Sequence, residues 1–153
     1  MSPFRILLVE DNPGDVALTR EALRETPFES ELDVASDGVE ALAWLRERAT
    51  RGRAPDLVLL DLNLPRKNGR ELLQELRQDP LLGIIPVVVT TTSTDPGDVA
   101  RAYELRANCY VSKPAELEAF MGTVRSVIRF WSSVAVLPTR DPARPSSPSP
   151  RRP

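Results

Sequence analysis

Glu10-Asp11, Asp61, Thr91 and Lys113 are the residues of this chain whose types and setting point to chemistry. Each follows or ends a short apolar run. Three carboxylates drawn to one point repel one another unless a cation lies among them. The chain has no histidine and one cysteine, so the available metal donors are oxygens, a set that suits Mg²⁺. Magnesium takes one or two carboxylates and keeps positions for other oxygens, including those of a phosphoryl group. A lysine and a threonine hydroxyl can bind further phosphoryl oxygens. The set reads as a site for phosphoryl transfer onto a carboxylate nucleophile. Any one of these residues alone reads as a helix cap or loop residue; their shared position at strand ends is what argues for a site.

The elements that must position them follow from apolar patterning. Residues 4–9, 31–35, 56–60, 86–91 and 109–112 read as five strands. Helices are predicted between them. One follows Asn12-Pro13, a cap with proline in the first turn, and another follows Ser36 or Asp37. A third follows Asn68-Gly69 and ends near Asp79, and a fourth opens at Asp95-Pro96. The last starts at Lys113-Pro114, with Leu117, Phe120, Met121, Val124 and Ile128 at helical spacing. The order is (βα)5. Near-continuous apolar strands need cover on both faces, which predicts a parallel, doubly wound α/β sheet of order 2-1-3-4-5. Its crevice lies outside the carboxyl ends of the strands, where the order reverses between strands one and three. That places Glu10, Asp11 and Asp61 at one point, flanked by Thr91 and Lys113.

Composition bounds the alternatives. The chain has 153 residues, 41% hydrophobic and 27% charged, the size and balance of one ordinary domain. No apolar run approaches the roughly 20 residues of a membrane span, and no secretory signal is visible. A lone cysteine fits a cytoplasmic protein. The absence of histidine excludes Ser-His-Asp and Cys-His catalysis and most zinc sites. The net charge of −2 divides into +3 on residues 138–153 and −5 on the rest. An acidic body argues against duplex nucleic acid as a partner. Residues 138–153, rich in Pro, Ser and Arg, are expected to be a disordered tail. Residues 132–137 are too apolar for a free linker and are expected to pack as an arm.

These residues resemble the receiver domain of two-component response regulators. The likeness is carried by Val9-Glu10-Asp11-Asn12, by Leu60-Asp61-Leu62-Asn63-Leu64-Pro65 with Gly69, by the threonines ending the fourth strand, and by Tyr110-Val111-Ser112-Lys113-Pro114. It covers residues 4 to about 130, within a receiver domain drawn as 1–131. A narrower likeness, to small regulators that partner bacterial phytochromes, is carried by Glu10-Asp11-Asn12-Pro13-Gly14-Asp15, Thr91-Thr92-Ser93, Tyr103-Glu104-Leu105 with Ala107-Asn108, Phe130-Trp131 and Leu137-Pro138.

The resemblance implies a set of roles. Asp61 accepts phosphate from a phosphohistidine on a sensor histidine kinase. Asp11, Asp61 and the Asn63 backbone carbonyl bind Mg²⁺, with Glu10 acting through water. Thr91 and Lys113 contact the phosphoryl group, and Thr91 and Tyr110 move as the switch. It also implies a cis Lys113-Pro114 peptide. Arg106 stands where many receivers have glycine, so the left-handed turn there is expected to shift to Asn108. Thr90 replaces a usually aliphatic residue.

The expected function is a stand-alone response regulator, not an enzyme beyond its own phosphorylation and dephosphorylation. With about twenty residues after the receiver, output by protein contact is expected, and a homodimer; Trp131 is expected either to fold back on its own sheet or to cover the partner chain. A Mg²⁺-dependent phosphohydrolase of the haloacid-dehalogenase kind is a second reading, but it needs an acid two residues after the nucleophile, where this chain has Asn63. A pseudo-receiver that is folded but never phosphorylated is the third. Cys109 and Trp44 read as packing residues.

Overall fold

The apolar runs of the three inner strands are buried on both faces and pair in parallel, with helices on each side and less buried strands at the two edges. The computed structural model describes residues 3–138. The strands are β1 (Phe4–Val9), β2 (Ser30–Ala35), β3 (Leu57–Leu60), β4 (Val87–Thr91) and β5 (Cys109–Ser112). The helices are α1 (Pro13–Arg24), α2 (Gly38–Thr50), α3 (Gly69–Gln78), α4 (Pro96–Glu104) and α5 (Leu117–Arg129), followed by a π-helical turn at Phe130–Val134. The sheet order is β2-β1-β3-β4-β5, all parallel. This is the doubly wound (βα)5 architecture expected from the sequence.

Strand alternation divides the core. Leu7, Val9, Val58, Leu60, Val87 and Val89 face one layer, where they meet α2 and α3 through Leu42, Leu45, Leu72, Leu73 and Leu76. Ile6, Leu8, Leu57, Leu59 and Val88 face the other, against Ala22 and Leu23 of α1 and Phe120, Met121, Val124 and Ile128 of α5. A one-residue slip in any strand would exchange the two sets. The register aligns Val9 with Ala35 and Leu60, and Leu60 with Val89. The carboxyl ends of β1, β3 and β4 therefore finish at one edge.

Helix starts at that edge are capped by side chains. Asn12 Oδ1 accepts from the Gly14 and Asp15 amides at 2.8 and 3.2 Å, with Pro13 at the first helical position. Asp37 rather than Ser36 caps α2. Asn68 and Glu71 form a reciprocal capping box on α3, and Asp95 caps α4.

Three details depart from expectation. The last helix begins at Leu117, capped by Glu116, and not at Lys113-Pro114. The Lys113 amide is held by the Thr91 carbonyl at 2.7 Å, so the chain still follows the sheet there. The Lys113-Pro114 bond is trans, as are all peptide bonds among the described residues. The left-handed residue after α4 is Arg106 itself, at φ 70°. Asn108 instead turns its side chain inward, where Oδ1 accepts from the Val87 amide at 2.8 Å and from Arg77 at 2.9 Å.

Trp44 is partly buried on the α2 side of the core, with the Arg48 guanidinium 4.7 Å above its ring. Trp131 packs partly against the α1–α5 side, edge to face with the exposed ring of Phe130. Val134 and Val136 are exposed. Of the segment 138–153 only Pro138 lies within the described residues, so the expected disordered tail falls outside them.

Candidate functional site

Four of the five strand ends, those of β1, β3, β4 and β5, contribute a side chain to one cleft because parallel strands finish on the same edge. Glu10 follows β1 and is 3% exposed; its amide donates to the Ala35 carbonyl at 2.9 Å, which continues the ladder. Asp11, the next residue, is exposed. Asp61 follows β3 and is 7% exposed, its amide held by the Val9 carbonyl at 3.0 Å. Carboxylate oxygens of Glu10, Asp11 and Asp61 lie within 4.8 Å of one another. An all-oxygen cluster of this size fits a hard divalent cation.

Behind Asp61 the chain turns sharply. Asp61 Oδ1 accepts from the Asn63 amide at 3.0 Å. Gly69 comes back against the loop, its amide on the Leu62 carbonyl at 3.0 Å. Arg66 takes a left-handed φ of 63° and is clamped to Asp37 by two guanidinium nitrogens at 2.8 and 2.9 Å. The Glu40 amide, followed by Arg66, holds the Asp37 carboxyl below the ordinary aspartate value. One carboxylate therefore both caps α2 and anchors the loop beside Asp61.

Lys113 enters from beyond β5. Its Nζ donates to Glu10 Oε1 at 2.6 Å, Asp15 Oδ2 at 2.9 Å and Asp61 Oδ2 at 3.1 Å. Burial pushes the Glu10 carboxyl up to about 7, against the pull of the Lys113 hydrogen bond. Burial alone would lower Lys113, but its hydrogen bonds to Glu10 and Asp15 and the charges of Asp61 and Glu10 outweigh it and hold the ammonium above the usual lysine value.

Thr91 closes β4 and is 1% exposed, and its Oγ1 has no hydrogen-bond partner. A buried hydroxyl without a partner is costly, and this one is available to an incoming acceptor. Tyr110 is half-buried, and its hydroxyl donates to the Ser93 carbonyl at 2.9 Å. Ser93 Oγ donates to Asp98 at 2.6 Å, and Arg70 holds the other Asp98 oxygen at 2.7 Å. The loop after β4 is thus tied to both α3 and β5.

The residues matched by a family model decide the assignment. Residues 6–125 match the response regulator receiver domain. The chain belongs to that family. The receiver is 43% identical to response regulator Rcp1 of Synechocystis sp. over 138 residues, 89% of this chain and 94% of Rcp1. Its fold is similar to the crystal structure of the phosphorylated cyanobacterial phytochrome response regulator RcpA, with a TM-score of 0.85 and 44% identity, over 90% of this chain and 99% of that one. It is also similar to Mn²⁺-bound Rcp1, with a TM-score of 0.81 and 43% identity, over 89% of this chain and 99% of that one.

The receiver brings Glu10, Asp11, Asp61, Thr91 and Lys113 to one cleft edge as the sequence predicts. Asn63 is exposed beside it, and Tyr110 reaches the Ser93 carbonyl one loop away. Sequence reasoning named Asp37 only as a helix cap and Asp15 and Ser93 only within the family likeness; their contacts at the site, and Arg66, Arg70 and Asp98, were missed. Asp15 reads locally as a first-turn acid of α1, and only the fold brings Lys113 to it. Cys109 is half-buried, and burial pushes its thiol up, opposite to a reactive cysteine.

Proposed function

We propose that this receiver is a phosphorylation-controlled switch whose acceptor is Asp61. The observation that carries the reading is the shared position of that one buried carboxylate. It belongs to the acidic cluster and also accepts from the Lys113 ammonium. In the transfer, the P–N bond of a phosphohistidine breaks as an Asp61 oxygen–phosphorus bond forms, and the imidazole leaves with the electron pair. Lys113 then turns one donor from the carboxylate to a phosphoryl oxygen. The unpartnered Thr91 hydroxyl donates to another.

A divalent cation, Mg²⁺ in this reading, would be held by Asp11, Asp61 and the Asn63 carbonyl, with Glu10 acting through water. It supplies positive charge for the incoming phosphoryl oxygens.

Movement of Thr91 toward the phosphoryl group pulls on the loop that carries Ser93, and Ser93 is bonded to Tyr110. Tyr110 is therefore the second half of the switch. The partner that supplies phosphate is a sensor histidine kinase, and the likeness to the phytochrome response regulator RcpA favours one of the phytochrome kind. Output is by protein contact, in the cytoplasm; the match to Rcp1 spans 94% of that protein's length. The exposed Phe130, Val134 and Val136 beyond α5 are the face we assign to a homodimer. A phosphohydrolase is disfavoured, since Asn63 cannot act as the general acid.

Intact-mass spectrometry after incubation with Mg²⁺ and acetyl phosphate tests the acceptor. A gain of one phosphate, about 80 Da, is expected in wild type and not in Asp61→Asn. No gain from either acetyl phosphate or a phosphorylated kinase would mean a pseudo-receiver and would sink the switch.

A further inference from the structure

Asp15 reaches the cleft from the first turn of α1, and its Oδ2 lies 2.9 Å from Lys113 Nζ. An ammonium group has three N–H donors and no acceptor. Here the three are taken by Glu10, Asp15 and Asp61, so Lys113 has no donor to spare. We propose that Asp15 is a positioning residue for Lys113: it occupies one donor permanently and leaves the donor on Asp61 as the one that turns to a phosphoryl oxygen. This rests on the receiver reading given above.

The placement of Asp15 is rigid. Asn12 Oδ1 accepts from its amide at 3.2 Å, and Thr19 Oγ1 donates to its carbonyl at 2.8 Å. Glu10 is fixed in the same way by the end of β1. The lysine stem has four flexible carbons, so a single anchor would leave its head group free to swing. Two anchors on separate elements, β1 and α1, confine it. The third contact, to Asp61, is the longest at 3.1 Å. It is also the one that transfer changes, because the new oxygen–phosphorus bond removes the carboxylate charge of Asp61 as the donor's bond to phosphorus breaks. Glu10 and Asp15 then still neutralise Lys113 and hold it in place.

A purely structural role for Asp15 is the alternative. An acidic side chain in the first turn of a helix stabilises it through the dipole. That role does not involve Lys113, and the two are separable.

The test is a time course of phosphorylation by acetyl phosphate with Mg²⁺, followed by intact mass. Wild type, Asp15→Ala and Asp15→Asn are compared, with thermal melts recorded for each. Asp15→Ala is expected to slow the reaction on the order of fivefold, the scale of one partly exposed ion pair. Asp15→Asn keeps an oxygen acceptor and is expected to recover most of the rate. In a Lys113→Ala background, followed over longer times, Asp15→Ala is expected to add nothing. An Asp15→Ala protein as fast as wild type would overturn the proposal. So would the same slowing with Lys113 absent. Wild type that never takes phosphate would instead overturn the receiver reading itself, which the Asp15 variants do not address.

Discussion

The Lys113 amide donates to the Thr91 carbonyl at 2.7 Å, so one backbone hydrogen bond sets the two side chains that complete the cleft. Their side chains differ in state. The Lys113 ammonium is saturated by three carboxylates, while Thr91 Oγ1 is buried without a partner. A buried unpaired hydroxyl costs about 1–3 kcal/mol. Thr91→Val keeps the shape and removes the hydroxyl. It is expected to stabilise the unphosphorylated protein by roughly 1 kcal/mol, read as a higher urea midpoint, while weakening the response to phosphorylation. A lower midpoint would mean that the hydroxyl has a partner in the resting state.

Glu10 makes stability depend on pH. Its carboxyl is pushed by burial from an ordinary 4.5 up to about 7, with the Asp61 charge adding to the rise and Lys113 opposing it. Between those values the folded protein holds a proton that the unfolded chain has released. Linkage then makes the metal-free fold lose stability as pH rises through that window. Thermal melts in chelator are expected to show a midpoint that falls from about pH 5 to about pH 8, and Glu10→Gln is expected to flatten the fall. A divalent cation favours the ionised carboxylates, so added Mg²⁺ is expected to raise the midpoint most at the alkaline end. A wild-type midpoint that climbs with pH in chelator would contradict this account.

Arg106 carries backbone strain that glycine would not. Its φ of 70° costs a side-chain-bearing residue about 1–2 kcal/mol. Part of that is offset by a reciprocal pair: Arg77 Nε donates to the Arg106 carbonyl, and Arg106 donates to the Arg77 carbonyl, each at 3.0 Å. Only the second bond needs the Arg106 side chain, and it is exposed. The Arg106 charge also adds to burial in lowering the Arg77 pKa. Arg106→Gly is therefore expected to stabilise the fold by up to about 1 kcal/mol in urea unfolding. Destabilisation would show that the exposed contact outweighs the strain.

The sheet and the residues at its edge were legible because they depend on local pattern. Short apolar runs bounded by turn residues, such as Leu57–Leu60, read as strands buried on both faces, and parallel topology then fixes which end Asp61 and Lys113 occupy. What was not legible depends on which partner a polar side chain chooses. Asn108 tolerates a left-handed backbone, yet its amide is taken by Val87 and Arg77, so Arg106 bends instead. Lys113-Pro114 has the proline of a helix start, yet the Lys113 amide is already taken by Thr91, and the helix waits for Glu116. Asp15 has the form of a first-turn acid, and only the tertiary fold brings Lys113 to it.

Gly69 shows how closely the loop behind Asp61 is packed. A Cβ at this position would lie 2.5 Å from the Asp61 carbonyl oxygen and 2.7 Å from Leu62 Cα, both backbone atoms. Neither can rotate aside. Gly69→Ala must move either the start of α3 or the backbone of Asp61. Overpacking of this kind costs on the order of 1–3 kcal/mol. Where the Asp61 backbone moves, its carboxylate shifts relative to Lys113 Nζ and the acidic cluster. Gly97 provides the comparison, since a Cβ there would meet nothing closer than Asp95 Oδ1 at 3.5 Å, an ordinary contact. Gly69→Ala is expected to lower both the melting midpoint and the rate of phosphorylation by acetyl phosphate, while Gly97→Ala leaves the rate unchanged. If Gly69→Ala lost stability but kept the wild-type rate, the position of Asp61 would not depend on the close approach of α3, and the start of α3 would be the part that gives way.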